Sequence, residues 1–215
     1  METEERIATI ENYLDSGSYD ASENQALIAQ VKTIMVEHPE LRVKLGPLIG
    51  RLKAVPQVDA DVDVNWVDLL SGSLAIGHRP RIKSLKTMKS LGATHILTLL
   101  SEKEGAKDIG KAAKKQGLQW IWLPLSSAEP PAEDRLEEIT EVFKDSITAL
   151  GNGAKIYVHC SAGIHRTGMF SYALFRYMGF DVEQSESLLS ALREVTSREV
   201  GDHRKLWGDS FFHSD

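Results

Sequence analysis

The sequence predicts an α/β fold: a mostly parallel central sheet flanked by helices, preceded by a helical N-terminal module. Three observations predict it. From Ser73 onward, short β-rich apolar runs alternate with amphipathic helical patterns, the signature of parallel strands covered on both faces. Before that point the apolar residues recur at helical spacing over three stretches. The charge balance changes at the same place: up to Gly72 there are 6 Lys+Arg against 13 Asp+Glu, and beyond it 19 against 18.

The first helix is expected from about Thr3 to Leu14, with Ile7, Ile10 and Leu14 on one face. "DSGSYD" breaks it. Asp20 and Glu23 have the spacing of a capping box opening a second helix to about Glu37, whose apolar face is Leu27, Val31, Ile34 and Met35. A third stretch, Pro39 to Ala54, is expected to be interrupted at Gly46-Pro47. Residues 55–64, "PQVDADVDVN", fit an acidic linker and equally an edge strand with Val58, Val62 and Val64 partly alternating. The expected division is a helical module over 1–64 and a second domain over 65–215.

In that second part "SLAIG" reads as a strand and "IKSLKTMKSLG" as a helix. "THILTLL" is a strand, and "GAKDIGKAAKKQG" is a helix closed by a glycine. "LQWIWLPL" is a strand, in which Trp120 and Trp122 share a face as core residues. "AEDRLEEITEVFKDSITALG" is a long amphipathic helix carrying Leu136, Ile139, Phe143, Ile147 and Leu150 on one side. "AKIYVHC" is the last strand, and helices follow near 167–179, 182–196 and 203–212.

Composition narrows the function. At 42% hydrophobic and 26% charged residues the chain has the makeup of a globular protein rather than a disordered one. Apolar runs are too short and too broken by charge for a membrane span. The acidic, amphipathic start lacks the basic and apolar regions of a signal peptide, and the single cysteine cannot form an internal disulfide. A reducing cytoplasm is the expected location. There is no basic footprint, so no nucleic-acid partner is expected. With no second cysteine and no ligand spacing among the seven histidines, no metal or other cofactor is expected.

Chemistry concentrates in "YVHCSAGIHRTGMF", residues 157–170, between the last strand and the helix after it. In a parallel sheet, sites form at the carboxyl ends of strands. Four such ends are predicted to crowd one edge, in "GHRPRIKS", "LSEKEG", "PLSSAEPPAED" and "HCSAGIHR". A tight loop entering a helix aims backbone N–H groups and the positive end of the dipole at one point, making an anion site. A thiol placed there has its pKa lowered to about 3.5–7.5, from about 8.5, and becomes a thiolate nucleophile.

Cys160 is thus the expected nucleophile. The loop Ser161, Ala162, Gly163, Ile164, His165 is the expected phosphate cradle, with Gly163 supplying a turn conformation. Arg166 offers a planar fork for two phosphate oxygens. The Thr167 hydroxyl is placed to steady the sulfur as a leaving group, and His159 to hydrogen-bond the loop backbone and hold its shape. Attack on phosphorus, a cysteinyl-phosphate intermediate and its hydrolysis by water follow from this set.

"HCSAGIHRTG" resembles the signature loop of the cysteine-dependent protein tyrosine phosphatase superfamily, departing from its tyrosine-specific branch at His165, where glycine is usual. The compact size of residues 73–215 and "LAIGHRP…LGATHILTLL" resemble the dual-specificity branch. The resemblance implies a phosphate-monoester hydrolase acting on phosphotyrosine or other phosphoproteins. The alternatives are a phosphoinositide, inositol-phosphate or nucleic-acid 5′-phosphate phosphatase, and a phosphate-binding pseudophosphatase.

The resemblance also implies an aspartate acid three residues after Pro124, where this chain has Ser127. A serine cannot act as a general acid near neutral pH. The nearest carboxylates are Glu129, Glu133 and Asp134, of which Glu129 and then Asp134 are the expected substitutes, with Glu102, Glu104, Asp202 and His203 as more distant ones. His165 adds positive charge if it faces the pocket. His78, Arg79 and Arg81 fit either a second phosphate subsite or a solvated loop. Arg193, Arg198, His203 and Arg204 include candidates for buttressing the phosphate loop.

Overall fold

A computed structural model describes residues 3–16, 21–54 and 64–212. Cα proximity divides the chain into two units, Met1–Asp63 and Val64–Asp215. The first contains α1 (Thr3–Ser16), α2 (Ala21–Glu37), a 3-10 turn at Pro39–Leu41 and α3 (Arg42–Ala54). The apolar faces read from the sequence form its core: Ile10, Val31, Ile34, Leu45 and Leu52 are fully buried. The expected interruption at Gly46-Pro47 does not occur, because α3 runs through Pro47. A proline inside a helix costs about 3 kcal/mol. Here Pro47 is exposed while Leu45, Leu48 and Leu52 are buried against the other helices, and that apolar face holds the helix continuous. The capping box read at Asp20 and Glu23 and the segment 55–63 lie outside the described residues.

The second unit is built on a five-stranded sheet of order β1-β2-β5-β3-β4. Its strands are β1 (Val67–Leu69), β2 (Gly72–Gly77), β3 (His95–Leu100), β4 (Gln119–Leu125) and β5 (Lys155–His159). Strands β2, β5, β3 and β4 are parallel, and only β1 is antiparallel, to β2. β1 has no counterpart in the sequence reading, since three residues are too few to show alternation. β4 contains Pro124, which is tolerated because β4 is an edge strand.

Between β2 and β3 lie a 3-10 turn at Ile82–Ser84 and α4 (Leu85–Ser90). α5 (Ala106–Lys115) packs on β3 and β4, and α6 (Leu136–Gly151) on β2, β4 and β5. α7 (His165–Tyr177) leaves β5 and is buried from Thr167 to Arg176, enclosed by α8 (Val182–Leu192), α9 (Glu194–Glu199) and α10 (Asp202–Asp209). Trp120 and Trp122 stack on each other at 5.4 Å, with Lys114 and Lys107 of α5 over their rings. Parallel order brings the carboxyl ends of β2, β5, β3 and β4 to one edge, with β5 between β2 and β3. Among the described residues no helix is long and apolar enough to cross a membrane, and no group of three His, Cys, Asp or Glu is arranged to hold a metal ion.

Candidate active site

The loop after β5 is held from outside, and its shape follows from the planarity of the peptide bond. In a trans peptide the C=O and the following N–H point opposite ways. The Ser161 carbonyl accepts from the Arg79 N–H at 2.9 Å. The Ala162 carbonyl accepts from Arg193 at 3.1 Å, and the Gly163 carbonyl from Arg193 at 3.1 Å and from the Thr196 hydroxyl at 2.7 Å. Three carbonyls are thus drawn outward, and the N–H groups of Ala162, Gly163 and Ile164 are turned to the opposite side. The Gly163 N–H shows the result directly, donating to Cys160 Sγ at 3.2 Å.

Cys160 is only 3% exposed, and burial pushes its thiol up. The Thr167 hydroxyl and N–H, the Gly163 N–H and the Arg166 charge together outweigh that burial, so the thiol sits below its ordinary value. The Thr167 hydroxyl is fully buried and makes no hydrogen bond of good geometry among the described residues; it acts on the thiol through its nearness to the sulfur.

His159 anchors the loop's entry. It is fully buried, and its Nδ1 lies 3.1 Å from the Cys160 carbonyl and its Nε2 2.9 Å from Thr98 Oγ1. Trp120 Nε1 donates to the same Thr98 oxygen at 2.9 Å. Indole can only donate and a carbonyl can only accept. The chain therefore has one consistent direction: Trp120 N–H to Thr98, Thr98 O–H to Nε2, and Nδ1–H to the Cys160 carbonyl. Burial holds the imidazole down at about 4, so it is neutral at pH 7.

The unfolded chain consequently takes up this proton first. The stability contribution is complete above about pH 6.5 and is lost as pH falls toward 4, a change of about 3 kcal/mol. Denaturant unfolding between pH 7 and 4.5 should show this slope, and His159→Asn should flatten it.

Arg166 is fixed by a two-pronged ion pair. Its Nη1 and Nη2 donate to Glu104 Oε2 and Oε1, each at 2.8 Å. Nη1 also reaches the Leu125 carbonyl at 2.9 Å, and Nη2 reaches Ser161 Oγ at 3.3 Å. Glu104 closes a 3-10 turn, Glu102–Glu104, by accepting from the N–H and hydroxyl of Ser101 at 2.9 and 2.8 Å. Arg79 holds the Glu104 carbonyl at 2.8 Å. The Arg166 bonds bring the Glu104 carboxyl down to about 2, so it stays ionised and cannot act as an acid near neutral pH. Glu104→Gln removes the charge and one arm of the clamp. We expect kcat/KM on phosphomonoesters to fall about 10- to 100-fold, chiefly through kcat, while the fold persists. Steady-state kinetics beside a thermal melt would check this.

The pocket over the sulfur is lined by Ser126, Ser127, Ala128, Cys160, Ser161, Ala162, His165 and Arg166. The sequence-read set Cys160, Ser161, Ala162, His165 and Arg166 converges there. Gly163 is buried behind the pocket, and Ile164 precedes α7 and is half-buried. Glu129 and Asp134 instead line a neighbouring hollow with Pro130, Pro131, Ala132 and Arg135. The Glu129 carboxylate is drawn to Arg204 at 3.3 Å and His203 at 3.4 Å, and Arg204 also binds the Ala128 carbonyl. His78 contributes its carbonyl to the Tyr157 hydroxyl at 3.0 Å, and Arg79 serves the framework. Thr98, Trp120 and Thr196 were outside the sequence-read set. Thr98 and His159 are register partners across β3 and β5, a signal visible only once the strand order is known.

Residues 62–214 match the family model for the Swiss Army Knife protein, DSP-PTPase phosphatase domain (PTP-SAK). Solved structures share the fold. The kinase-associated phosphatase KAP, with its catalytic-site cysteine replaced by serine, is 18% identical over 71% of this chain and 95% of its own, at a TM-score of 0.59. A Leishmania major chain described as a protein tyrosine phosphatase is 14% identical over 71% of this chain and 100% of its own, at 0.55. Tk-PTP in the active form is 17% identical over 64% of this chain and 92% of its own, at 0.51. Together with a buried thiol ringed by inward N–H groups, the match over residues 62–214 places this chain in the DSP-PTPase phosphatase domain family, within the cysteine-dependent protein tyrosine and dual-specificity phosphatases.

Proposed function

We propose that this phosphatase hydrolyses phosphomonoesters on phosphotyrosine or other phosphoproteins, with residues 65–215 as the catalytic domain and 1–64 as a separate helical module. One observation carries the reading: three loop carbonyls are gripped from outside, so that their paired N–H groups face a lowered-pKa thiol. Cys160 attacks phosphorus from the pocket floor. The N–H groups of the loop and Arg166 hold the equatorial oxygens, stabilising charge where the transition state develops it. Glu104, the Leu125 carbonyl and Ser161 Oγ take the Nη hydrogens, so the phosphate is met from the Nε side of the guanidinium. Thr167 stabilises the thiolate that leaves when water cleaves the cysteinyl-phosphate. The family assignment supports the protein substrate class.

The test is turnover of a panel: p-nitrophenyl phosphate, phosphotyrosine and phosphoserine peptides, inositol phosphates and 5′-phosphorylated oligonucleotides. Preference for phosphopeptides supports the reading, and turnover of the inositol phosphates or the oligonucleotides alone overturns its substrate class. A second reading, a phosphate-binding pseudophosphatase, is favoured by the lack of any Asp or Glu among the residues lining the pocket. Phosphorylation of Cys160 without release of phosphate would establish it.

A further inference from the structure

Resting on the cysteinyl-phosphate reading, we infer that His165 is a further catalytic residue, the acid that protonates the leaving oxygen and the base that then activates water. The reaction needs such a group, since an alkoxide or phenoxide departs poorly without a proton. The pocket lining holds three titratable side chains, Cys160, Arg166 and His165. The first is the nucleophile. The second is bonded to Glu104 and stays charged. Histidine is the residue type that gives and regains a proton near neutral pH.

Position agrees with the role. In an in-line displacement the leaving oxygen lies on the side of phosphorus away from the attacking sulfur. Cys160 is buried at the floor, while His165, the first residue of α7, is exposed and lines the same pocket. The rest of the lining includes Ser126, Ser127 and Ala128, with no proton donor of useful pKa, and Glu129 and Asp134 line the adjoining hollow that shares Ser126 and Ser127 with it. Charged groups on the neighbouring elements are engaged elsewhere. Arg166 follows on α7 and is clamped by Glu104 from the 3-10 turn after β3. Arg193 holds loop carbonyls from the α8–α9 junction. Glu129, on the loop after β4, is drawn to His203 and Arg204 of α10.

The steps balance. Sγ–P forms as the P–O bond breaks; the electron pair goes to the leaving oxygen, which takes the imidazolium proton. Water then attacks phosphorus, its proton passes to the neutral imidazole, P–Sγ breaks and the pair returns to sulfur as thiolate.

The test is first-turnover release of the leaving group from p-nitrophenyl phosphate and from phenyl phosphate, as a function of pH. Wild type, His165→Asn, His165→Gln, Glu129→Gln and Asp134→Asn are compared, each with a thermal melt. Phenoxide needs the proton more than p-nitrophenoxide. His165→Asn should therefore slow phenol release about 100-fold more than p-nitrophenol release and remove the basic limb of the profile. His165→Gln should do the same. Equal slowing of both substrates, or no slowing, overturns the proposal by leaving a structural role or none. Selective loss in Glu129→Gln or Asp134→Asn overturns it in favour of that carboxylate. Failure of wild type to form phosphoenzyme on Cys160 is a different result, one that removes the underlying reading and the proposal with it.

Discussion

Cys160→Ser should abolish turnover of p-nitrophenyl phosphate, by on the order of 10⁴-fold or more, while phosphate binding survives. The thiol is held below its ordinary value by Thr167, Gly163 and Arg166 despite burial. A serine hydroxyl in the same place titrates far above any working pH, and the same donors do not make it an alkoxide. The nucleophile is lost, and the cradle is not. The carbonyl grips of Arg79, Arg193 and Thr196 involve neither the sulfur nor its charge, so the inward N–H groups and Arg166 keep their places.

Binding should in fact strengthen. A thiolate repels an incoming phosphate dianion, and a neutral hydroxyl does not. Calorimetry with inorganic phosphate, which undergoes no net turnover, should give equal or tighter affinity for Cys160→Ser than for wild type, beside a collapsed kcat. Retained turnover would exclude Cys160 as nucleophile. Lost binding together with lost turnover would show instead that the sulfur organises the loop. In wild type the acid limb of activity should lie below the ordinary thiol range near 8.5, because activity rises as the thiol ionises.

The part of the molecule legible in sequence is the part whose signals are local. The candidate phosphate loop occupies ten consecutive residues between a strand and a helix, and the alternation of apolar runs reveals the parallel sheet around it. Contacts made by topology leave no such trace. Glu104 and Arg166 are 62 residues apart and meet because β5 inserts beside β3, bringing their carboxyl-terminal loops together. Arg193 stands out in sequence only as one cation among several near the C-terminus, and its grip on two loop carbonyls depends on how α8 and α9 fold back over α7. Proximity in sequence also misdirects. Glu129 lies two residues from Ser127, yet its carboxylate pairs with Arg204 and His203 of α10 and is not among the groups lining the pocket over Cys160.

Gly163→Ala should combine a fold defect with a catalytic one, and a control separates its causes. Gly163 has φ +70°, and a Cβ there would lie 2.2 Å from the Gly77 carbonyl carbon, 2.3 Å from its oxygen and 2.6 Å from the His78 nitrogen. All three are backbone atoms at the end of β2, so no side chain can rotate away. The left-handed conformation costs a non-glycine residue about 1–2 kcal/mol, and forced overlap in a packed site about 1–3 kcal/mol more. A loss of about 2–5 kcal/mol in unfolding free energy is expected. Gly179 has φ +88° with nothing within 4 Å of its would-be Cβ, so Gly179→Ala carries the conformational cost alone and should lose only about 1–2 kcal/mol. The surviving folded Gly163→Ala molecules must move the loop away from β2, which takes the Gly163 N–H off Sγ. A displacement near 1 Å at a reacting centre costs about 10²-fold in rate. The thiol should also titrate higher, read from iodoacetamide alkylation against pH. Equal destabilisation in the two variants would mean that the backbone conformation alone, and not the approach of the loop to β2, makes glycine necessary at 163.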